Sequence, residues 1–150
     1  MNIIKTEYIP NDPYWSNQWF LPNIGADLAF DLWDISSGQI PGYSEDNPIV
    51  VGVVDVGLDW DHPDLIENIW QNLGEDIDGD GVVIIQSGNT WIFDPGDING
   101  IDDDGDGYVD NFIGWDVSNN DNDPVPPSGL YDHGTMVAGC VSASTDNGTG

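Results

Sequence analysis

Two residues 78 positions apart, Asp55 and His133, carry the acid–base chemistry legible in this chain. Asp55 follows the apolar run Pro48-Ile49-Val50-Val51-Gly52-Val53-Val54. A carboxylate at the C-terminal end of a buried parallel strand stands where α/β folds place ligands and catalysts. His133 opens a helical pattern in Asp132-His133-Gly134-Thr135, where a neutral imidazole would project from a fixed point and exchange a proton near neutral pH. Taken singly, each has an ordinary reading, a turn-capping Asp and a partly exposed His at a helix start. A second set of residues suits a hard cation. Asp102, Asp104, Asp106 and Asp110 fall at loop positions 1, 3, 5 and 9 with Gly107 at position 6, the spacing of an EF-hand-type loop. Ile113 stands at position 12, where that loop carries a bidentate Glu. Asp76, Asp78 and Asp80 with Gly81 repeat the first half, followed by Ile84 at position 9 and Ser87 at position 12. The five carboxylates of residues 102–110 repel one another unless a cation intervenes, so calcium is the expected cofactor; the alternative is a solvated acidic loop.

The charge excludes several partners. Of 150 residues, 28 are Asp or Glu and one, Lys5, is Lys or Arg, giving a formal net charge of -27. No basic patch exists to neutralise phosphates, so nucleic acid and anionic membrane surfaces are not expected partners, and no apolar run approaches the ~20 residues of a membrane span. Disorder does not follow from the charge, because 39% of the residues are hydrophobic and seven are Trp. The acids are 24 Asp against 4 Glu; many Asp alternate with Gly, as oxygen-ligand loops require. Cys140 is the single cysteine, set among small apolar residues, and a packed thiol is expected. The N-terminus lacks the pattern of a secretory signal.

Several elements would position these residues. Residues 1–23, rich in Pro, Asn and aromatics, read as an extended arm. Ile24, Leu28, Leu32 and Ile35 recur at helical spacing. Residues 48–55 form a β-branched run without alternation, the pattern of a strand buried on both faces of a parallel sheet; residues 111–117 read as a second strand. Residues 133–143 read as a helix whose Gly134, Ala138, Gly139 and Ala143 permit close packing. Strand, helix, strand, helix implies an α/β fold, and two strands make an incomplete sheet, so the chain is expected to be part of a larger domain.

The segment Val53-Val54-Asp55-Val56-Gly57-Leu58-Asp59 with His62-Pro63-Asp64-Leu65 resembles the Asp segment of subtilisin-like serine proteases, the subtilases. His133-Gly134-Thr135-Met136-Val137-Ala138-Gly139 resembles their His segment, and Asn11-Asp12-Pro13-Tyr14-Trp15 is similar to the mature N-terminus of the thermitase-like branch. The resemblance implies a subtilisin-like parallel sheet flanked by helices, of which residues 1–150 would be the N-terminal half of the peptidase catalytic domain, with 66–110 as an Asp/Gly-rich insertion. It implies peptide-bond hydrolysis by an Asp-His-Ser triad, with Asp55 orienting His133 and His133 as general base. The nucleophile's Gly-Thr-Ser-Met-Ala segment does not occur in these residues, so the piece itself is expected to be inactive, its nucleophile and oxyanion Asn belonging to a missing C-terminal half. Met136, a second His in many members, would be a packing position. The family further implies calcium held by Asp12, Asp64, Ser144, Asn147 and Thr149, a second loop at Asp116, Asn119, Asp121 and Asp123, protein or peptide substrates, and secretion. A non-catalytic calcium-binding adhesion module and an inactive subtilase homologue are the competing readings. His62 would pack structurally, having no partners for zinc.

Overall fold

A computed structural model describes residues 8–33, 49–126 and 133–149. They fall into two units, Met1–Val51 with Ala143–Gly150, and Gly52–Ser142.

In the first unit the single helix expected over residues 24–35 is divided. Helix α1 (Phe20–Ile24) ends at Gly25, whose φ of 75° is open to a residue without Cβ and whose N–H reaches the Leu21 and Pro22 carbonyls. Helix α2 (Ala26–Phe30) then starts afresh; Ile35 lies outside the described residues. Pro22 is tolerated because it sits in the first turn of α1, where its N–H would have no intrahelical acceptor. The arm is not extended throughout, since it forms a 3-10 turn at Trp15–Asn17 and then α1. Phe30 is the residue that packs here, edge-on to Tyr8 and tilted against Trp15 with ring centroids 6.3 and 6.0 Å away. Ile24, Leu28 and Leu32 stay exposed.

The core of the second unit is built around a hairpin that the periodicity did not reveal. Strand β1 (Ile84–Ser87) pairs antiparallel with β2 (Thr90–Phe93), Ser87 opposite Thr90 across Gly88 and Asn89. Gly88, with φ 66°, supplies the glycine-first form of a two-residue hairpin turn. Trp60, Val83, Ile84 and Phe112 are buried together, with Leu58, Ile66, Ile69, Trp91, Phe93 and Ile113 packed around them. Trp60 stacks on Phe93 at 5.0 Å and Phe93 tilts against Phe112 at 5.2 Å. The Gln71 side-chain oxygen accepts from the N–H groups of Val83 and Ile84, 2.9 and 3.1 Å, which joins the hairpin to the preceding loop.

The described residues contain no parallel ladder. Pro48 lies outside them, and 49–55 forms no ladder, with Ile49 and Val54 about fully open to solvent. An apolar strand of this type needs ladder partners on both edges and cover on both faces, and the described residues supply neither. The run 111–117 is likewise no strand. Asp110 (φ 50°) turns the chain just before it and Gly114 (φ 153°) breaks it in the middle, Phe112 turns into the core, and only Asp116 bridges, to Asp121 across a short turn. Helix α3 (His133–Ser142) forms as the small-residue pattern predicts and buries Gly134 and Ala138, one turn apart. Cys140 and Met136 occupy other faces of α3 and are exposed, so the expected packed thiol and packing position are both corrected. No helix of the described residues is long and apolar enough to cross a membrane.

Candidate functional site

Asp55 and His133 meet. The imidazole Nδ1 lies 2.8 Å from Asp55 Oδ1 and 2.9 Å from Oδ2. An ionised carboxylate only accepts, so Nδ1 carries the proton and donates it, leaving Nε2 as the free basic nitrogen. Asp55 is fixed from its own side by the Val56 N–H, 2.8 Å from Oδ1. That backbone bond first, and the His133 bond second, hold its carboxyl below the ordinary Asp value. The Asp55 side chain is 15% exposed and that of His133 67%, so the imidazole stands open above a largely covered carboxylate.

Gly134 makes this approach possible. A Cβ there would collide with the Gly57 carbonyl oxygen and lie 3.1 Å from Asp55 Cβ. The Asp59 N–H then donates to Thr135 Oγ1 at 3.0 Å, tying the loop after Asp55 to the first turn of α3. At the other end of α3, the Ser142 carbonyl accepts from Asn68 Nδ2 at 2.8 Å. The Leu58 N–H donates to the Pro124 carbonyl, 2.8 Å, and a side chain at Gly57 would strike Pro124 and Pro126. Ser142 Oγ donates to the Ala138 carbonyl one turn back in α3.

The two Asp/Gly loops fold alike. Asp76 accepts from the N–H groups of Gly79 and Gly81, 2.7 and 2.9 Å; Asp102 accepts from Gly105 and Gly107 at the same distances. Gly79 and Gly105 share φ 77° and 76°, turns that a side chain would strain. Oxygens of Asp76, Asp78 and Asp80 lie within 4.8 Å of one another, as do those of Glu75, Asp102 and Asp104. These all-oxygen groups could hold a hard metal ion. Asp106 and Asp110 are used differently. Asp106 accepts from Tyr108 N and Asn111 Nδ2, and Asp110 accepts from the N–H groups of Asn99 and Gly100. Asn72 Nδ2, 2.9 Å from Asp104 Oδ2, is the first cause holding the Asp104 carboxyl low.

Two wholly buried acids escaped the sequence reading, Glu75 and Asp97, both 0% exposed. Glu75 Oε1 accepts from Asp103 and Asp104 N–H, 3.2 and 3.4 Å, and Oε2 from Asp110 N–H. Asp97 Oδ1 accepts from Ile77 and Asp78 N–H, 2.9 and 3.4 Å, while Oδ2 has no hydrogen-bond partner. Burial pushes both carboxyls up, and the charges of Asp78 and Asp76 push Asp97 further. No local signal in the sequence marked them, since the Gly-acid dipeptides Gly74-Glu75 and Gly96-Asp97 recur at the exposed Gly79-Asp80 and Gly105-Asp106.

The remaining predicted ligands divide between the units. In the first, Asp12 accepts from the N–H groups of Asp146, Asn147 and Gly148 at 3.0, 3.1 and 3.3 Å, and Thr149 N–H donates to Asn147 Oδ1; Ser144 belongs to the same unit. Asp64 belongs to the second, where its N–H donates to His62 Nδ1 at 3.1 Å. In the 116–123 turn, Asp116 Oδ1 accepts from Ser118 and Asn119 N–H and Asp121 Oδ1 from Asp123 N–H. Asp116, Asp121 and Asp123 are not among the converging carboxylate groups of the described residues.

The sequence profile of the subtilase family matches residues 46–150, and the chain belongs to that family, whose fold is α/β. It is 33% identical over 140 residues to Subtilisin-like protease 1 of Plasmodium berghei, covering 93% of this chain and 18% of that protein. It is 29% identical to PC3-like endoprotease variant B of Hydra vulgaris, over 97% of the chain and 15% of that protein. To the halolysin-like extracellular serine protease Nep of Natrialba magadii it is 27% identical, over 97% of the chain and 18% of that protein. The chain thus spans less than a fifth of the length of these relatives.

Proposed function

We propose that these residues supply the Asp and His members of a serine endopeptidase's Asp-His-Ser triad. The observation that carries the reading is the double contact of His133 Nδ1 with Asp55. It fixes the tautomer in which Nε2 takes the proton of a serine hydroxyl as that oxygen attacks a peptide carbonyl, and then returns it to the leaving amine. Asp55 stabilises the imidazolium formed between those steps. The serine and the oxyanion donors come from sequence beyond these residues, and the substrates are proteins or peptides outside the cell. In the protein carrying these residues, a fluorophosphonate should label one serine, and His133→Ala should abolish labelling and peptidase turnover. Retained turnover in that variant would remove the assignment.

Calcium at the Asp/Gly loops is the second part of the reading. It is supported by two converging carboxylate groups and by the unpartnered Oδ2 of the buried Asp97, since a buried carboxylate oxygen left without a partner favours a compensating charge nearby. Asp76, Asp78 and Asp80, and Glu75, Asp102 and Asp104, would hold the ions. Asp12, Ser144, Asn147 and Thr149 in the first unit, and Asp64, Asp116, Asn119 and Asp121 in the second, are each further candidates by family resemblance. Chelation should lower the melting temperature, because an ion bound only to the folded chain at a hundred times its Kd stabilises by about 2.7 kcal/mol; an unchanged melting curve would end this reading.

A further inference from the structure

The two acidic loops are related by an exchange. Gly74-Glu75 directly precedes the first loop but serves the second, where Glu75 Oε1 accepts the N–H groups of Asp103 and Asp104, loop positions 2 and 3. Gly96-Asp97 precedes the second loop but serves the first, where Asp97 Oδ1 accepts the N–H groups of Ile77 and Asp78, again positions 2 and 3. The glycines repeat the relation. A Cβ at Gly74 would lie 2.6 Å from Asp104 Cβ, and a Cβ at Gly96 would collide with Asp78 Oδ2. Each glycine therefore lets the acid after it reach under the other loop's third-position Asp. Glu75 lies within ligand range of Asp102 and Asp104. Asp97, wholly buried beneath the first loop, keeps Oδ2 without any partner and stands outside the converging group of Asp76, Asp78 and Asp80.

We propose that Asp97 is a ligand of a divalent cation held with Asp76, Asp78 and Asp80, as Glu75 is for the cation held with Asp102 and Asp104. The loops thus form a pair of sites with exchanged buried carboxylates. The exchange replaces the position-12 carboxylate that both loops lack.

This proposal rests on the calcium reading of the loops, and calorimetric titration of the metal-free chain with calcium chloride separates the two. Asp97→Asn keeps an acceptor for Ile77 and Asp78 but removes the charge. Its affinity for one calcium should fall about tenfold or more, and Asp76→Asn should show the same deficit. The double variant should be little worse than either single one, as for two ligands of one ion. Without metal, Asp97→Asn should melt no lower than the parent, because it removes an uncompensated buried charge; with calcium it should melt lower. If Asp97→Asn does not fold, Asp97→Ser gives the second test, since its hydroxyl can still accept from Ile77 or Asp78 N–H while the carboxylate is gone, and it should weaken the same site alone. An Asp97→Asn or Asp97→Ser chain that titrates like the parent, while Asp76→Asn loses an ion, overturns the role of Asp97 and leaves the calcium reading standing. A parent chain that takes up no calcium overturns both.

Discussion

Helix α3 contains two glycines for which the same substitution should have opposite consequences. In a helix interior, Gly→Ala ordinarily stabilises by about 1 kcal/mol, because alanine loses less backbone entropy on folding. A methyl added at Gly139 would meet no atom within 4 Å, so Gly139→Ala should follow that rule and leave turnover unchanged. At Gly134 the added methyl would overlap the Gly57 carbonyl and sit 3.1 Å from Asp55 Cβ. Restoring ordinary contact requires the helix start and the Asp55 loop to separate by about 1 Å. The contacts of His133 Nδ1 with Asp55, now 2.8 and 2.9 Å, would then stretch beyond hydrogen-bond range. Misplacement of about 1 Å at a reacting group costs on the order of 10²-fold in rate. The assay is steady-state hydrolysis of a peptide substrate by the protein carrying these residues, with thermal melts of both variants alongside. The expected pattern is a kcat loss of about 10²-fold for Gly134→Ala with KM little changed, and full kcat with a higher melting temperature for Gly139→Ala. Wild-type kcat in Gly134→Ala would refute the claim that this glycine sets the distance between Asp55 and His133.

Three further outcomes follow from the same contacts. Asp55→Asn keeps the shape but offers Nδ1 a donor amide, so kcat should fall about 10⁴-fold through the wrong tautomer, while calcium uptake stays unchanged; a loss below tenfold would count against the orienting role. Phe112→Ala removes a side chain with 0% exposure from against Phe93 and should lower stability in denaturant titration by about 3–5 kcal/mol; less than about 1 kcal/mol would show the pocket collapses or is not core. The Asp55 carboxyl is held below its ordinary value of 3.8 by Val56 and His133, so its stabilising contribution is complete above that value and lost as pH falls through the lower folded-state value. A carboxyl-carbon NMR titration should place Asp55 below 3.8, and a midpoint above it would refute the contact.

What the sequence determined by itself was local. Val53 to Asp59 and His133 to Gly139 are contiguous segments that both fall within the stretch matched by the subtilase profile, and the small residues that let α3 approach the Asp55 loop are visible as letters. The Asp/Gly loops were legible for the same reason: Asp76 and Asp102 bond to N–H groups three to five residues ahead, so each turn is specified within its own segment. Gly25 was misjudged because apolar spacing reports a helical face without reporting the residue whose left-handed φ ends the helix. The run 49–55 shows the limit from the other side, since β-branched composition favours extension but a ladder needs partners that composition does not supply.

Tertiary structure alone decided the pairings across sequence distance. Nothing local to Glu75 or Asp97 says that each lies beneath the loop 19 to 35 residues away, or that both are wholly buried. Phe112 enters the core because the hairpin at residues 84–93 presents Phe93 to it. Asp55 and His133 are two motifs in the sequence; their contact at 2.8 Å exists because a missing side chain at Gly134 lets two backbones close up. A sequence records side chains along one dimension, whereas burial, charge compensation and hydrogen-bond distance depend on which segments the folded chain brings into contact.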